Sequence, residues 1–202
     1  GTVMPEMDVK IGENDEILVK GPNVMKGYYN KPEETASVFT DDGYFRTGDA
    51  GYLTDDNELV LTERIKDLFK TSNGKYIAPQ MIETRLAEDR YIDTVAVIAD
   101  KYKFVSALIV PSFEVLEEYA SKHDIPFSSR KDLVKNEEII NLIYARIELK
   151  QVAFTSFEKI KRFMLLPRAF SIEEGELTNT LKLRRDVIYE KYKKEIESIY
   201  QE

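Results

Sequence analysis

The side chains in this sequence that could act on a ligand gather in four short polar segments. The first is GYFRTGD, residues 43–49, read as a turn in which Gly48 lets another molecule approach the backbone and Asp49 offers a carboxylate just beyond it. Such a carboxylate can accept both hydroxyls of a ribose, because a charged acceptor makes the stronger class of hydrogen bond and two adjacent donors fix the orientation of the sugar. Thr-Gly-Asp also fits an ordinary turn. Arg64 follows a predicted strand, where its permanent charge can meet the same nucleotide or pair at the surface with Glu63 or Asp67.

The third segment, KDLFKTSNGKYIAP over 66–79, sets Lys66, Lys70 and Lys75 around Ser72, Asn73 and Gly74. A glycine bounded by small polar residues can line a narrow passage for an extended ligand, since no Cβ stands in the way. Asn73-Gly74 is equally a two-residue hairpin signal, and both readings can hold at once. The last segment is ELTNTLKLRR, 176–185, a polar loop that delivers Lys182 as the final helix begins. A flexible ammonium on a mobile loop can neutralise charge that develops during acyl or phosphoryl transfer; the plainer alternative is a solvated lysine at a helix end.

Composition narrows the classes. The 202 residues are 43% hydrophobic and 33% charged, as in a soluble globular protein, and no apolar run approaches the ~20 residues that span a bilayer. No signal segment opens the chain, so a cytoplasmic location is expected, with peripheral membrane contact open. Zero cysteines exclude a disulfide framework, a thiolate nucleophile and a cysteine zinc site. The net charge of -8 argues against general nucleic-acid binding. His123 is the single histidine and falls near a predicted helix end, which leaves neither a metal cluster nor a histidine-dependent triad; no metal ligands are assigned. Because the chain opens on Gly1 and alternates apolar residues almost at once, it is expected to be cut from something longer.

The elements that must position these residues fall into two patterns. Strands over 7–11 and 17–20 flank the hairpin signal at 12–15, and another over 58–62 follows the turn at 55–57. After a boundary near 64–67, helices alternate with strands. Pro79 suits a helix's first turn. Runs over 94–99 and 104–110 read as buried strands. Ser112 is a candidate N-cap for a helix carrying Phe113, Leu116 and Ala120. Asn136 is expected to cap a longer helix with Ile140, Ile143, Ile147, Phe154 and Phe157 toward the core. Pro167 should put the strand over 163–170 near an edge or end it, and one closing helix should carry Leu183, Val187, Ile188, Tyr192 and Ile196. The expected class is α+β: a small antiparallel or barrel-like β subdomain followed by a compact mixed α/β domain with a helical insertion.

The four segments stand in a fixed order, preceded by GPNVMKGYYNKPEET at 21–35 with its Met-x-Gly-Tyr stretch and interleaved with Ala78-Pro79 and Ile82-Glu83. Together they resemble the carboxyl-terminal third of the acyl-adenylate-forming, or AMP-binding, superfamily of acyl-CoA synthetases, adenylation domains and luciferases. The resemblance covers essentially the whole chain. KDLFKTSNGKYIAP, ELTNTLKLRR and the helical material between Phe113 and Phe163 are most similar to long-chain fatty acid–CoA ligases; Glu63 departs, standing where many relatives have glycine.

The resemblance implies a two-step reaction in which ATP and a fatty acid give acyl-AMP and pyrophosphate, and CoA then displaces AMP to form a thioester. It implies that Asp49 holds the ribose hydroxyls, that Arg64, Lys70 and Tyr76 lie by the nucleotide, and that Lys182 bridges the attacking carboxylate and the α-phosphate. Lys66 and Asp67 would form a hinge, and Ser72, Asn73 and Gly74 would line the CoA tunnel. Residues 1–66 would then end a large adenylation domain and 67–202 would be its mobile C-terminal domain, with ATP, magnesium and CoA as the small-molecule partners. The family's phosphate-cradling loop and acyl pocket are not in the sequence, so the chain alone is expected to turn over nothing. A domain that loads a carrier protein and a non-catalytic binding module are the alternatives.

Overall fold

The computed structural model describes residues 1–201, the side chains of Glu63 and Lys66 excepted. The chain divides into two units, Gly1–Leu68 and Phe69–Glu202.

In the first unit, β1 (Asp8–Ile11) and β2 (Glu16–Lys20) pair antiparallel across a 3-10 turn at Glu13–Asp15, where Asn14 and Asp15 take positive φ. A short helix α1 (Pro32–Ser37) starts on its proline. β3 (Phe45–Leu53) and β4 (Leu59–Arg64) complete a curled antiparallel sheet of order β1-β2-β3-β4. Residues 43–49, expected as a turn, are instead mostly the start of β3. Gly48 has φ +73, yet the strand survives it because the register against β2 shifts between Glu16 and Leu18, a bulge that absorbs the kink. Ile17, Leu18 and Ala50 are the unit's buried apolar residues.

The second unit starts with a two-stranded hairpin, β5 (Phe69–Lys70) and β6 (Tyr76–Ile77), then α2 (Pro79–Ala87) with Pro79 in its first turn. β7 (Ile92–Ile98), β8 (Val105–Pro111) and β9 (Ile160–Leu165) form a sheet in that order, β8 antiparallel to β7 and parallel to β9. All seven residues of central β8 are buried, Ser106 included, as its nearly continuous apolar run requires. Helices α3 (Phe113–Lys122), α4 (Arg130–Leu133), α5 (Glu137–Lys150), α6 (Arg185–Lys191) and α7 (Lys193–Gln201) complete the unit. Ile82, Leu86, Leu116, Leu133, Ile143 and Ile188 meet the sheet in one core. Tyr200 locks α7 to it: its hydroxyl accepts from Ser106 at 2.7 Å and lies 3.0 Å and 2.9 Å from the carbonyls of Ile98 and Phe104.

Several expectations shift. Asn136 caps α5 by accepting from the N–H groups of Glu138 and Ile139, but Ser112 makes no such bond before α3. The inward stripe of α5 is Ile139, Ile143 and Ile147; Ile140 lies at the margin of that face, about 60° round the helix from Ile143, and is exposed. α5 ends at Lys150, so Phe157 lies beyond it and is exposed. β9 ends two residues before Pro167 and is an edge strand. The closing helix is broken at Tyr192 into α6 and α7, and Leu183 precedes it, paired with Leu177 in an isolated bridge.

Candidate functional site

In the first unit the sheet makes Asp49 and Arg64 cross-strand neighbours, with Arg64 Nε 3.5 Å from Asp49 Oδ1. Asp49 is aimed by the bulge before it. The carboxylate of Glu16, nearly buried, accepts from Arg46 at 3.0 Å and from the N–H of Gly48 at 3.2 Å. Thr47 Oγ1 donates to Ile17 O at 2.7 Å and accepts from the N–H of Asp49 at 3.1 Å. The result is a partly exposed carboxylate on a fixed backbone beside an exposed guanidinium, a pair suited to a diol and its neighbouring phosphate.

The second unit offers two exposed tips built on one plan. In residues 71–75, Thr71 N–H donates to Lys75 O at 2.9 Å, Gly74 N–H to Thr71 O at 2.8 Å, and Lys75 N–H to Thr71 Oγ1 at 3.1 Å. In 178–182, Thr178 N–H donates to Lys182 O at 2.8 Å, Leu181 N–H to Thr178 O at 2.9 Å, and Lys182 N–H to Thr178 Oγ1 at 3.1 Å. The same bonds recur in 40–44 and 54–58 of the first unit, each led by a threonine. All are three-residue hairpin loops whose fourth position is left-handed. That position holds Gly43, Asn57, Gly74 and Leu181, with φ of 84°, 61°, 76° and 60°. A side chain there costs about 1–2 kcal/mol unless it is small and polar. The turn at Asn73-Gly74 is therefore the three-residue form, not the expected two-residue one, and residues 176–185 make a hairpin rather than a plain loop.

Around the Gly74 tip, Ser72 N–H donates to Tyr102 O at 2.9 Å and Asn73 Nδ2 to Lys103 O at 3.2 Å. A Cβ added at Gly74 would meet nothing within 4 Å, so the backbone there is open to approach. Lys70 and Tyr76 face each other across the hairpin, the ammonium 5.4 Å from the ring centroid.

Lys182 is exposed and makes no ion pair among the described residues. The base of its hairpin is clamped by charge. Glu176, fully buried, takes both branches of Arg168 at 2.8 Å and 2.6 Å, the N–H of Ser171 at 3.1 Å and the Tyr192 hydroxyl at 3.1 Å. Its backbone carbonyl accepts from Arg184 N–H at 2.8 Å. Burial works against the carboxylate, but Arg168, Ser171 and Tyr192 outweigh it and hold the Glu176 pKa down to about 2. Burial, then Glu176, pushes Tyr192 up to about 12. On the other side, Glu83 of α2 receives both branches of Arg185 at 2.6 Å and 2.8 Å, and its Oε1 also accepts from Val97 N–H at 2.8 Å.

The structure thus pairs Asp49 with Arg64 and Lys70 with Tyr76, and gives Gly74 and Lys182 separate tips. Asp67 ends a 3-10 turn, Ile65–Asp67, next to the last residue of the first unit and is exposed; the Lys66 side chain lies outside the described residues. Sequence reasoning missed the ion pairs of Glu16 with Arg46 and Glu83 with Arg185, 30 and 102 residues apart, and the nearer pair of Arg168 with Glu176, eight residues apart across an irregular segment. His123 caps α3 and stacks on Tyr119, with ring centroids 4.1 Å apart. Among the described residues no three His, Asp or Glu groups could hold a metal, and no helix is long and apolar enough to cross a membrane.

Comparison with known proteins identifies the family and the fold. Residues 66–202 match the AMP-binding enzyme C-terminal domain. The chain is 34% identical over 201 residues to the long-chain-fatty-acid–CoA ligase FadD15 of Mycobacterium tuberculosis, covering 99% of this chain and 33% of that protein. It is 35% identical over 194 residues to long-chain-fatty-acid–CoA ligase 1 of Schizosaccharomyces pombe, covering 93% of this chain and 28% of the relative. Among solved structures, the adenylation domain of a carboxylate reductase from Mycobacterium chelonae superposes with a TM-score of 0.69 at 26% identity, over 93% of this chain and 28% of that one. The chain spans about a third of the length of the curated relatives it matches.

Proposed function

The chain belongs to the AMP-binding enzymes, with their C-terminal domain at residues 66–202, and from that premise we propose that it is the switching end of a long-chain fatty acid–CoA ligase. The observation that carries this reading is the pair of exposed hairpin tips on one unit, an unpaired Lys182 on a charge-clamped base and an open Gly74 on a backbone-anchored one. In the first step a fatty acid oxygen attacks the α-phosphorus of ATP and pyrophosphate leaves. Lys182 bridges the two anions and offsets their repulsion. Asp49 accepts the ribose hydroxyls, and Arg64, Lys70 and Tyr76 flank the nucleotide.

In the second step the thiol of CoA attacks the acyl carbonyl and AMP leaves. The C-terminal unit has by then turned about Lys66 and Asp67, withdrawing Lys182 and presenting Ser72, Asn73 and Gly74 to the pantetheine arm. Magnesium would arrive with ATP; among the described residues no three His, Asp or Glu groups gather to hold a metal, and no step here passes through it. The scant apolar core of the first unit supports its being the end of a larger adenylation domain that holds the phosphate loop and acyl pocket, without which the chain turns over no substrate.

The full-length parent, given ATP, palmitate and CoA, is expected to release pyrophosphate and AMP and to form palmitoyl-CoA. The likeness to a carboxylic acid reductase solved as an adenylation–carrier (A-PCP) didomain from Segniliparus rugosus favours one other acceptor, a carrier protein's phosphopantetheine. Acylation of carrier protein with no thioester on free CoA would select that reading and end the ligase one.

A further inference from the structure

The threonine-led turn occurs in residues 40–44, 54–58, 71–75 and 178–182, and in three of these the left-handed position is Gly43, Asn57 or Gly74. In the fourth it is Leu181. Among the described residues with positive φ and a side chain, the others are Glu6, Asn14, Asp15, Asn30, Asn57, Lys101 and Asp124, so Leu181 alone is apolar. A leucine gains nothing from the local hydrogen bonds that let asparagine or aspartate tolerate this conformation. Nor does its own unit offset the strain by burial, for the side chain is 69% exposed. The turn therefore carries both backbone strain and an unpacked apolar group at the residue immediately before Lys182. Strain of this kind persists where something else over-determines it.

We propose that Leu181 is a positioning residue for Lys182: its side chain docks against an apolar wall of the large adenylation domain beside the bound acyl group, and that contact seats the lysine for acyl-adenylate formation. The inference rests on the reading of Lys182 as the adenylation lysine. The matching Gly74 tip carries no apolar group, as suits a passage rather than a dock. The docking contact exists only in the adenylating arrangement, so it should lower the barrier of the first half-reaction and leave the second alone.

The test uses the full-length enzyme with palmitate and ATP, reading pyrophosphate release, and with supplied palmitoyl-AMP and CoA, reading thioester formation. Leu181→Asn and Leu181→Gly should slow the first by about tenfold or more and change the second by less than about twofold, while Leu181→Met restores most of the first. The thermal midpoint of the 202-residue chain should not fall in Leu181→Asn, since that residue suits the turn better. Wild-type pyrophosphate release by Leu181→Asn, or a lowered midpoint showing that leucine packs within the chain, overturns the proposal. A Lys182→Ala control separates the two layers: its inactivity beside an active Leu181→Asn ends only this inference, whereas full activity of Lys182→Ala ends the reading beneath it as well.

Discussion

The tips at 71–75 and 178–182 share one set of backbone hydrogen bonds, yet different forces hold them up. The Gly74 tip is relaxed at its left-handed residue and tied down by neutral bonds to the carbonyls of Tyr102 and Lys103. The Lys182 tip is strained at Leu181 and clamped at its base by two carboxylates, the buried Glu176 on Arg168 and the part-buried Glu83 on Arg185. A turn that must present a cation at a fixed point benefits from a stiff, charge-locked base. One that lines a passage needs only a bare backbone. The same local fold is thus tuned for delivery or for clearance by one residue and its anchors.

Removing the largest anchor should break the comparison most visibly. Glu176→Ala leaves Arg168, Ser171 N–H and Tyr192 without their acceptor and should destabilise the second unit by about 3 kcal/mol. A thermal scan of the chain should show a midpoint lower by roughly 6–12 °C. An unchanged midpoint would mean that the clamp is ornamental.

Acid should act on one tip and spare the other. Glu176 has a lowered folded-state pKa, so the folded chain binds fewer protons than the unfolded chain and stability rises with pH across the gap. Its contribution is complete above the unfolded carboxylate value of 4.5 and is lost as pH falls toward about 2. The midpoint difference between wild type and Glu176→Gln should therefore shrink over that range. Amide exchange should show the Arg184 N–H, bonded to the carbonyl of the titrating Glu176, losing protection before the Thr71 N–H, bonded to the carbonyl of Lys75.

The smallest effect is the cleanest. Gly74→Ala places a side chain at φ +76 in open space, so only backbone strain should register, about 1 kcal/mol by denaturant titration. A cost far above this would reveal packing around the tip.

What the sequence disclosed depended on whether the signal was local. The runs over 94–99 and 104–110 are apolar but for Thr94 and Ser106 and proved to lie largely in β7 and β8; Asn136 and Pro167 act on their own neighbours and did as expected. The strand β3 was hidden because Gly48 reads as a turn residue, and only the bulge opposite Glu16 lets the strand continue through it. The hairpin bearing Lys182 was hidden because its left-handed position holds leucine, the residue type least expected there. Glu176 looks like Glu173 and Glu174 in sequence; its burial follows from Arg168 and Tyr192, which only the folded chain brings to it. Asp49, Arg64, Gly74 and Lys182 stood out because motifs name them, whereas the residues that aim them carry no motif.

If one unit serves two half-reactions through two tips, a change at one tip must separate those half-reactions. In the full-length enzyme carrying Lys182→Ala, both half-reactions are followed in single turnovers. The account predicts that acyl-AMP formation falls by about a hundredfold or more while thioester formation from supplied acyl-AMP stays within about twofold of wild type. An equal loss in both would contradict it.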